Sequence, residues 1–341
     1  MNAKAKTKKK LGKKEFDVEF QDRTPLWDRI KAKYLTFTFA KNFAWAVFRY
    51  VLLVGIAYVI LYPFIAKVAG SFMSAQDFVD ITVKLIPRYP TLDTYKAIIT
   101  DNRYFEALWN TTIISLLCAI VQMVTTMIIG YGLAKFKFKG NTLLFYCVVV
   151  TMVIPHHALR LAMLKKFQYF DIYGLFDLFG MEVPNLLNTY WPLTLLSVGG
   201  LAFKNGLYIF LMRQFFRGVP DELEEAAYVD GSGVFKTFVR IIVPLSVPML
   251  ITVFIFAFSW QWTDDFYTGL FFTKNAMYLM PDIVEQIPSS LPLAEAGDAQ
   301  GVYTSAITNT AALMIIAPLV VIYCFCQKYI VQGIERSGIV G

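Results

Sequence analysis

Charge is what this chain has little of. Of its 341 residues, 17% are Asp, Glu, Lys or Arg against 57% apolar by a broad count, and mean hydropathy is +0.51. A soluble domain of this length exposes far more charge, so the composition excludes one and implies a chain that crosses a bilayer several times. Histidine is scarce, with two residues, and the four cysteines (Cys118, Cys147, Cys324 and Cys326) all lie in apolar runs. Thiols in such runs behave as small hydrophobes, which argues against a disulfide framework. Cys324-Phe325-Cys326 has no histidine or carboxylate close by, so no metal site is expected. A G-x-x-x-x-G-K-[ST] phosphate loop is absent, and the chain is not expected to hydrolyse ATP itself. Asp264 and Asp265, adjacent on one helix, diverge too far to share a proton as a protease dyad does. The first apolar run begins only near Phe43 behind a long basic stretch, so no cleavable signal peptide is expected. The net charge of +7 is no nucleic-acid signal, because 12 of the 32 Lys and Arg residues sit in the first 44 positions.

What the chain does have is six charge-poor windows. They cover residues 50–66 (extended to 46–68, with Arg49 snorkelling at the boundary), 107–134, 140–159, 189–213, 241–263 and 303–327. Each approaches the roughly 20 apolar residues a helix needs to cross a bilayer. Lipid tolerates only helices or closed barrels, and the moderate loops favour helices. The expected fold is therefore an all-α membrane protein with six transmembrane helices. An N-in/C-in orientation puts 21 of the 32 basic residues on the cytoplasmic side, including the Lys135-Lys137-Lys139 turn. The expected organisation is a basic cytoplasmic tail at 1–44, a six-helix domain at 45–330 and a cytoplasmic C-terminal tail at 331–341. With seven lysines in its first fourteen residues, the N-terminal tail is expected to be solvated, irregular and attracted to anionic membrane lipid.

The loop at 213–244, between windows four and five, is the most distinctive stretch. Asp221 is a good N-cap, and Glu224 three residues on completes a capping-box-like pair. Leu223, Ala226, Ala227 and Asp230 follow at helical spacing, and Gly231 supplies a stop. A helix this short, with acidic residues at 221, 222, 224 and 225, cannot span a bilayer. The Ala226-Ala227 pair lets another surface approach the backbone. From these residues alone, a docking helix and a plain surface helix joining two spans are equally open.

Beyond that, Glu225-Ala226-Ala227-Tyr228-Val229-Asp230-Gly231, followed ten residues later by Ile241-Ile242-Val243-Pro244, resembles the cytoplasmic EAA loop of ABC-importer permeases. The lead-in from Arg213 to Glu224 and the tail from Pro244 to Pro248 extend that resemblance. Leu85-Ile86-Pro87-Arg88, Asn110-Thr111 and the Ala134-to-Gly140 turn are similar to other segments of carbohydrate-type permeases. Gln327 to Ile334 and Ser337 to Gly341 resemble the tail of the G-type maltose-permease subunit, so the likeness covers about residues 45–341. The chain departs from the family in its longer, more basic N-terminus and in Val243, where leucine is preferred.

The resemblance implies a type I ABC importer permease that passes a sugar or oligosaccharide delivered by an extracellular solute-binding protein. It also implies a second homologous permease and two ATPase subunits, which would bind ATP and Mg; no cofactor is expected on this chain. Glu224, Glu225, Ala226, Ala227, Asp230, Gly231 and Pro244 become the expected ATPase-coupling residues. A non-transport scaffold or receptor with the same fold remains an alternative, as does a secondary transporter. The latter needs intramembrane ion-coupling carboxylates, and windows two, three and six contain none.

Substrate-pathway candidates lie elsewhere. Lys204 falls inside window four, within Gly199-Gly200-Leu201-Ala202-Phe203-Lys204-Asn205-Gly206. An ammonium within a span is costly and usually faces a cavity or a partner. The glycines and Asn205 predict a kinked or unwound helix lining a pathway, with a misplaced span boundary as the plain alternative. Trp260, Trp262, Asp264 and Asp265 close window five. An indole face beside a carboxylate suits a sugar, while an interfacial tryptophan belt with two aspartates outside the bilayer is the plain reading. His156 and His157 read as boundary residues.

Overall fold

The computed structural model describes residues 7–11, 14–18, 27, 37–172, 174–273 and 276–336. The terminal 337–341 segment, part of the family-like tail, lies outside the described residues, as does most of the stretch before 37. The chain divides into two compact units, Met1–Ala66 and Lys67–Gly341.

In the first unit, β1 (Thr7–Leu11) and β2 (Lys14–Val18) pair antiparallel, with Lys8 opposite Asp17 and Lys10 opposite Glu15. This corrects the expectation of an irregular tail over these residues. Glu15-Phe16-Asp17-Val18 alternates polar and apolar at the strand period, and the register sets basic positions against acidic ones. Helix α1 (Phe37–Gly70) begins ahead of the expected first window and carries Pro63 within it.

The second unit opens with two short helices, α2 (Ala75–Val79) and α3 (Asp93–Asp101), followed by the long α4 (Tyr104–Lys135). Next come α5 (Asn141–Val153), a 3₁₀ turn at His156–Leu159, α6 (Arg160–Gln168) and α7 (Leu175–Leu178). Then follow α8 (Trp191–Val198), α9 (Asn205–Arg217), α10 (Glu222–Val229) and α11 (Val234–Thr237). A π turn at Phe238–Ile242 leads into α12 (Val243–Trp262). The unit ends with α13 (Phe266–Phe271), α14 (Met280–Glu285), a 3₁₀ stretch at Leu293–Ala299 and α15 (Gln300–Arg336).

Among the described residues, Phe39–Gly70, Tyr104–Lys135, Val234–Trp262 and Leu293–Gln332 are long and apolar enough to cross a membrane. A fifth crossing results if Asn141–Val153 and His156–Gln168 are one span bent by 91°. The bend falls at Ile154-Pro155, where proline disfavours a helical conformation in the residue before it. On length and composition the described residues thus hold four such helices, or five with the bent pair. Window 189–213 yields α8 and α9 instead of one helix, because Gly200 (φ +68°) and Lys204 (φ +66°) both take left-handed backbone conformations.

Helix α4 is the axis of the second unit, with α9 and α12 packed on it and α15 packed on α12. Its buried stripe runs through Thr111, Ser115, Cys118, Gln122, Thr126 and Gly130, at the three-to-four-residue spacing of one helix face. Small residues in that stripe let backbones approach closely. A Cβ added at Gly130 would lie 2.6 Å from Met212 Cβ on α9, and one added at Gly206 would lie 2.7 Å from Thr151 Oγ1 on α5. Glycine at these two positions is what wedges α9 between α4 and α5.

Candidate functional site

Two places gather the polar and aromatic candidates, one at each end of α9. At the C-terminal end the chain turns through Gly218 and Val219 into α10, whose eight residues carry Glu222, Glu224 and Glu225 in the first turn. The expected capping box does not form. Asp221 has helical backbone angles and caps nothing with its side chain. Its carboxylate instead accepts from Lys135 Nζ at the end of α4 at 2.5 Å, and the same ammonium donates to Val219 O at 2.6 Å. The Lys135 side chain is only 6% exposed, so it needs charged and carbonyl acceptors, and a charge-assisted bond outcompetes a cap to a neutral amide. The bond from Lys135, and then its charge, lower the Asp221 pKa.

Glu224 is likewise diverted. It is buried, and its Oε1 accepts from Tyr131 Oη at 2.9 Å. Tyr131 and Lys135 are one turn apart on α4, so a single helix face holds both ends of the α10 entry. The expected stop does form. Gly231 (φ +78°) donates to Tyr228 O at 3.0 Å and Ser232 to Ala227 O at 2.9 Å, the bond pair of a Schellman C-cap.

Of the expected coupling residues, Glu224 and Ala227 face inward, while Glu225, Ala226 and Asp230 are exposed. The small-residue face open to another surface is therefore Ala226 alone. Pro244 follows the π turn inside the continuous helical run Val234–Trp262, and having no N–H it leaves a carbonyl of the preceding turn without that donor. At the end of the acidic helix and in α11 after it, two large apolar side chains stand in the open, Val229 at 88% and Phe235 at 80% exposure.

The N-terminal end of α9 holds the second cluster. Lys204 precedes Asn205 at the helix start, and its Nζ lies 4.8 Å from the centroids of both the Phe203 and Trp260 rings. A cavity of ≈ 130 Å³ is lined there by Thr151, His156, Gly200, Phe203, Lys204 and Gly206 among others. His156 Nδ1 lies 2.5 Å from Tyr267 Oη, and its ring meets Phe203 edge-on at 5.0 Å between centroids. Asn205 is fully buried, with Nδ2 directed at Ser197 O at 3.5 Å.

The other candidates separate. Trp262 is buried in the bundle, its Nε1–H donating to Ile315 O at 3.0 Å. Asp264 does not join the Trp260 ring, because α12 ends at Trp262 and the i, i+4 geometry stops with it. Its carboxylate caps α13 instead, accepting from the N–H groups of Tyr267 at 3.2 Å and Thr268 at 2.9 Å. Burial just past the end of the span pushes its pKa up to about 6, against the pull of those N–H bonds. Asp265 is exposed and lines a different cavity, beside Pro281 and Glu285.

Several members of both clusters were not among the residues singled out as sites. Tyr131 and Lys135 were detectable only as an i, i+4 pair at the end of a span. Phe203 and Tyr267 carry no local signal, and His156, which read as a boundary residue, stands at the wall of the Lys204 cavity.

Residues 101–336 match the family described as "Binding-protein-dependent transport system inner membrane component". The "Galactooligosaccharides transport system permease protein GanQ" of Bacillus subtilis is 27% identical over 302 residues, covering 86% of this chain and 95% of the relative. The "Arabinooligosaccharides transport system permease protein AraQ" of Halalkalibacterium halodurans is 26% identical over 289 residues, covering 84% and 93%. A solved bacterial ABC transporter "involved in the import of the acidic polysaccharide alginate" contains a chain of the same fold. It superposes with a TM-score of 0.65 at 21% identity, covering 92% of this chain and 99% of that one.

Proposed function

The chain belongs to the binding-protein-dependent transport system inner membrane components, and from that premise we propose that it is the permease subunit of an ATP-binding-cassette importer for a sugar or oligosaccharide. Its relatives GanQ and AraQ are named for the transport of oligosaccharides, which supports that substrate class. In this reading an extracellular solute-binding protein delivers the substrate, a second permease supplies the other half of the pathway, and two ATPase subunits bind ATP and Mg. The N-in/C-in orientation puts α10 on the side of the ATPases, and α8 with α9 forms one interrupted crossing.

The observation that carries the reading is the construction of α10. It is an acidic helix braced to the end of α4 by the Tyr131–Glu224 and Lys135–Asp221 contacts, with its last residue Val229 and, beyond it, Phe235 left uncovered. Exposed side chains of that size within a polar loop suit a protein partner. Movement of the partner is passed to α4 because α10 is tied to it. ATP closure and binding-protein docking must favour the same state of the helices, since a ligand shifts an equilibrium only through differential affinity.

Gly231→Asp tests this. The variant places a Cβ and a charge at φ +78°, where glycine alone is unstrained, while nothing nearby would clash. Membrane insertion should be retained, whereas co-purification of the ATPase and ATP-driven uptake of labelled oligosaccharide should be lost. Normal uptake at matched expression would remove the coupling assignment.

A further inference from the structure

We propose that the cavity at the start of α9 binds a sugar carboxylate, with Lys204 making the importer selective for acidic, uronate-containing oligosaccharides. The inference rests on the importer reading above and specifies its substrate class. An ammonium set in a cavity wall favours a counter-charge or a strong acceptor. Among the described residues Lys204 has no carboxylate within ion-pair distance; its contacts are the faces of Phe203 and Trp260. Two rings hold the cation in place and leave its hydrogen-bonding capacity for something that is not part of this chain.

The backbone points the same way. Lys204 sits at φ +66°, a conformation that glycine adopts without strain and lysine does not. An outlier of this kind inside a cavity wall points to a role for the side chain's chemistry. An ammonium bonds a carboxylate more strongly than it bonds a neutral hydroxyl, because the charge-assisted pair is about twice as strong. The surroundings suit the remainder of a pyranose. Phe203, Thr151 and His156 line the cavity with Lys204, and Trp260, 47% exposed, stands beside it against Lys204 and Phe203. Its position also fits a substrate route, because the 13 residues of α9 set the cavity about 20 Å from the coupling loop.

The test uses the whole transporter, purified through a tag on this chain and reconstituted with its binding protein. The probes are labelled trimers of galacturonate and of mannuronate, each beside its carboxyl-reduced neutral counterpart. Binding is read by equilibrium dialysis and uptake in ATP-loaded vesicles. Wild type should bind and import at least one uronate trimer about ten-fold or more in preference to its reduced partner. Lys204→Met should erase that preference and Lys204→Arg should keep it. Lys204→Gly, which removes the ammonium and relieves the backbone together, gives the same reading should the methionine variant fold poorly. Preference for the neutral trimers, or undiminished uronate selectivity in Lys204→Met and Lys204→Gly, overturns the proposal while leaving the importer intact. Phospholipid that co-purifies with wild type and is lost from the variants, with saccharide selectivity unchanged, would assign the ammonium to a lipid headgroup and also overturn it. Absence of ATP-driven uptake of every one of these trimers overturns the uronate proposal, whereas the importer reading stands or falls on the Gly231→Asp test.

Discussion

Removing a single oxygen should cut the tie between the coupling helix and the bundle. Tyr131→Phe deletes the hydroxyl that donates to Glu224 Oε1 at 2.9 Å and keeps the ring, which packs between Phe216 and Phe238. Both partners are buried, Tyr131 at 5% and Glu224 at 8% exposure, so water cannot readily replace the lost donor. A hydrogen bond to a charged group contributes about 1.5–3 kcal/mol, and leaving the carboxylate unpaired sets the cost toward the upper end. That corresponds to a weakening of the docked arrangement of α10 by about 10- to 100-fold. The assay measures the ratio of substrate imported to ATP hydrolysed in proteoliposomes, together with the melting temperature in detergent. Tyr131→Phe should lower import per ATP more than it lowers melting temperature, because the bond lies at the linkage and not in the centre of the bundle. Glu224→Gln, which keeps an acceptor without the charge, should be milder than Glu224→Leu. Tyr131→Phe combined with Glu224→Leu should be less harmful than the sum of the two. Strict additivity, or wild-type coupling in Tyr131→Phe, would refute the view that this contact transmits force.

Two further outcomes follow from the packing and the charges. Gly130→Ala should destabilise the bundle by about 1–3 kcal/mol, although alanine is the better helix former, because its Cβ would lie 2.6 Å from that of Met212. Gly132→Ala, with nothing within 4 Å of its Cβ, should be neutral or slightly stabilising, and melting temperatures of the two variants provide the comparison. Asp264 has its folded pKa raised to about 6 from 3.8, so the folded state holds its proton more tightly than the unfolded state between those values. Its contribution therefore improves as pH falls from 7 toward 4, and Asp264→Asn should flatten that part of the melting-temperature profile.

Much of this protein could be read before any coordinates. Low charge and long apolar windows determined a helical membrane protein, because lipid leaves a buried backbone few ways to satisfy itself. The Gly231 stop and the break around Gly199 to Lys204 were legible for a local reason, since both depend on backbone conformations that the residues in the segment permit or forbid. The Asp221 cap does not form because an N-cap is a local preference, and Lys135, far away in sequence, offers the carboxylate a stronger partner. The same holds for Asp264, whose i, i+4 geometry with Trp260 ended with α12.

Only the tertiary structure decided which residues stand together. It brought Tyr131 and Lys135 of α4 to the acidic helix, and it set Lys204 between Phe203 and Trp260 with His156 at the cavity wall. Those arrangements depend on where α9 crosses α4 and α5. The close approaches at Gly130 and Gly206 set that crossing, and they are properties of pairs of helices that neither segment carries alone.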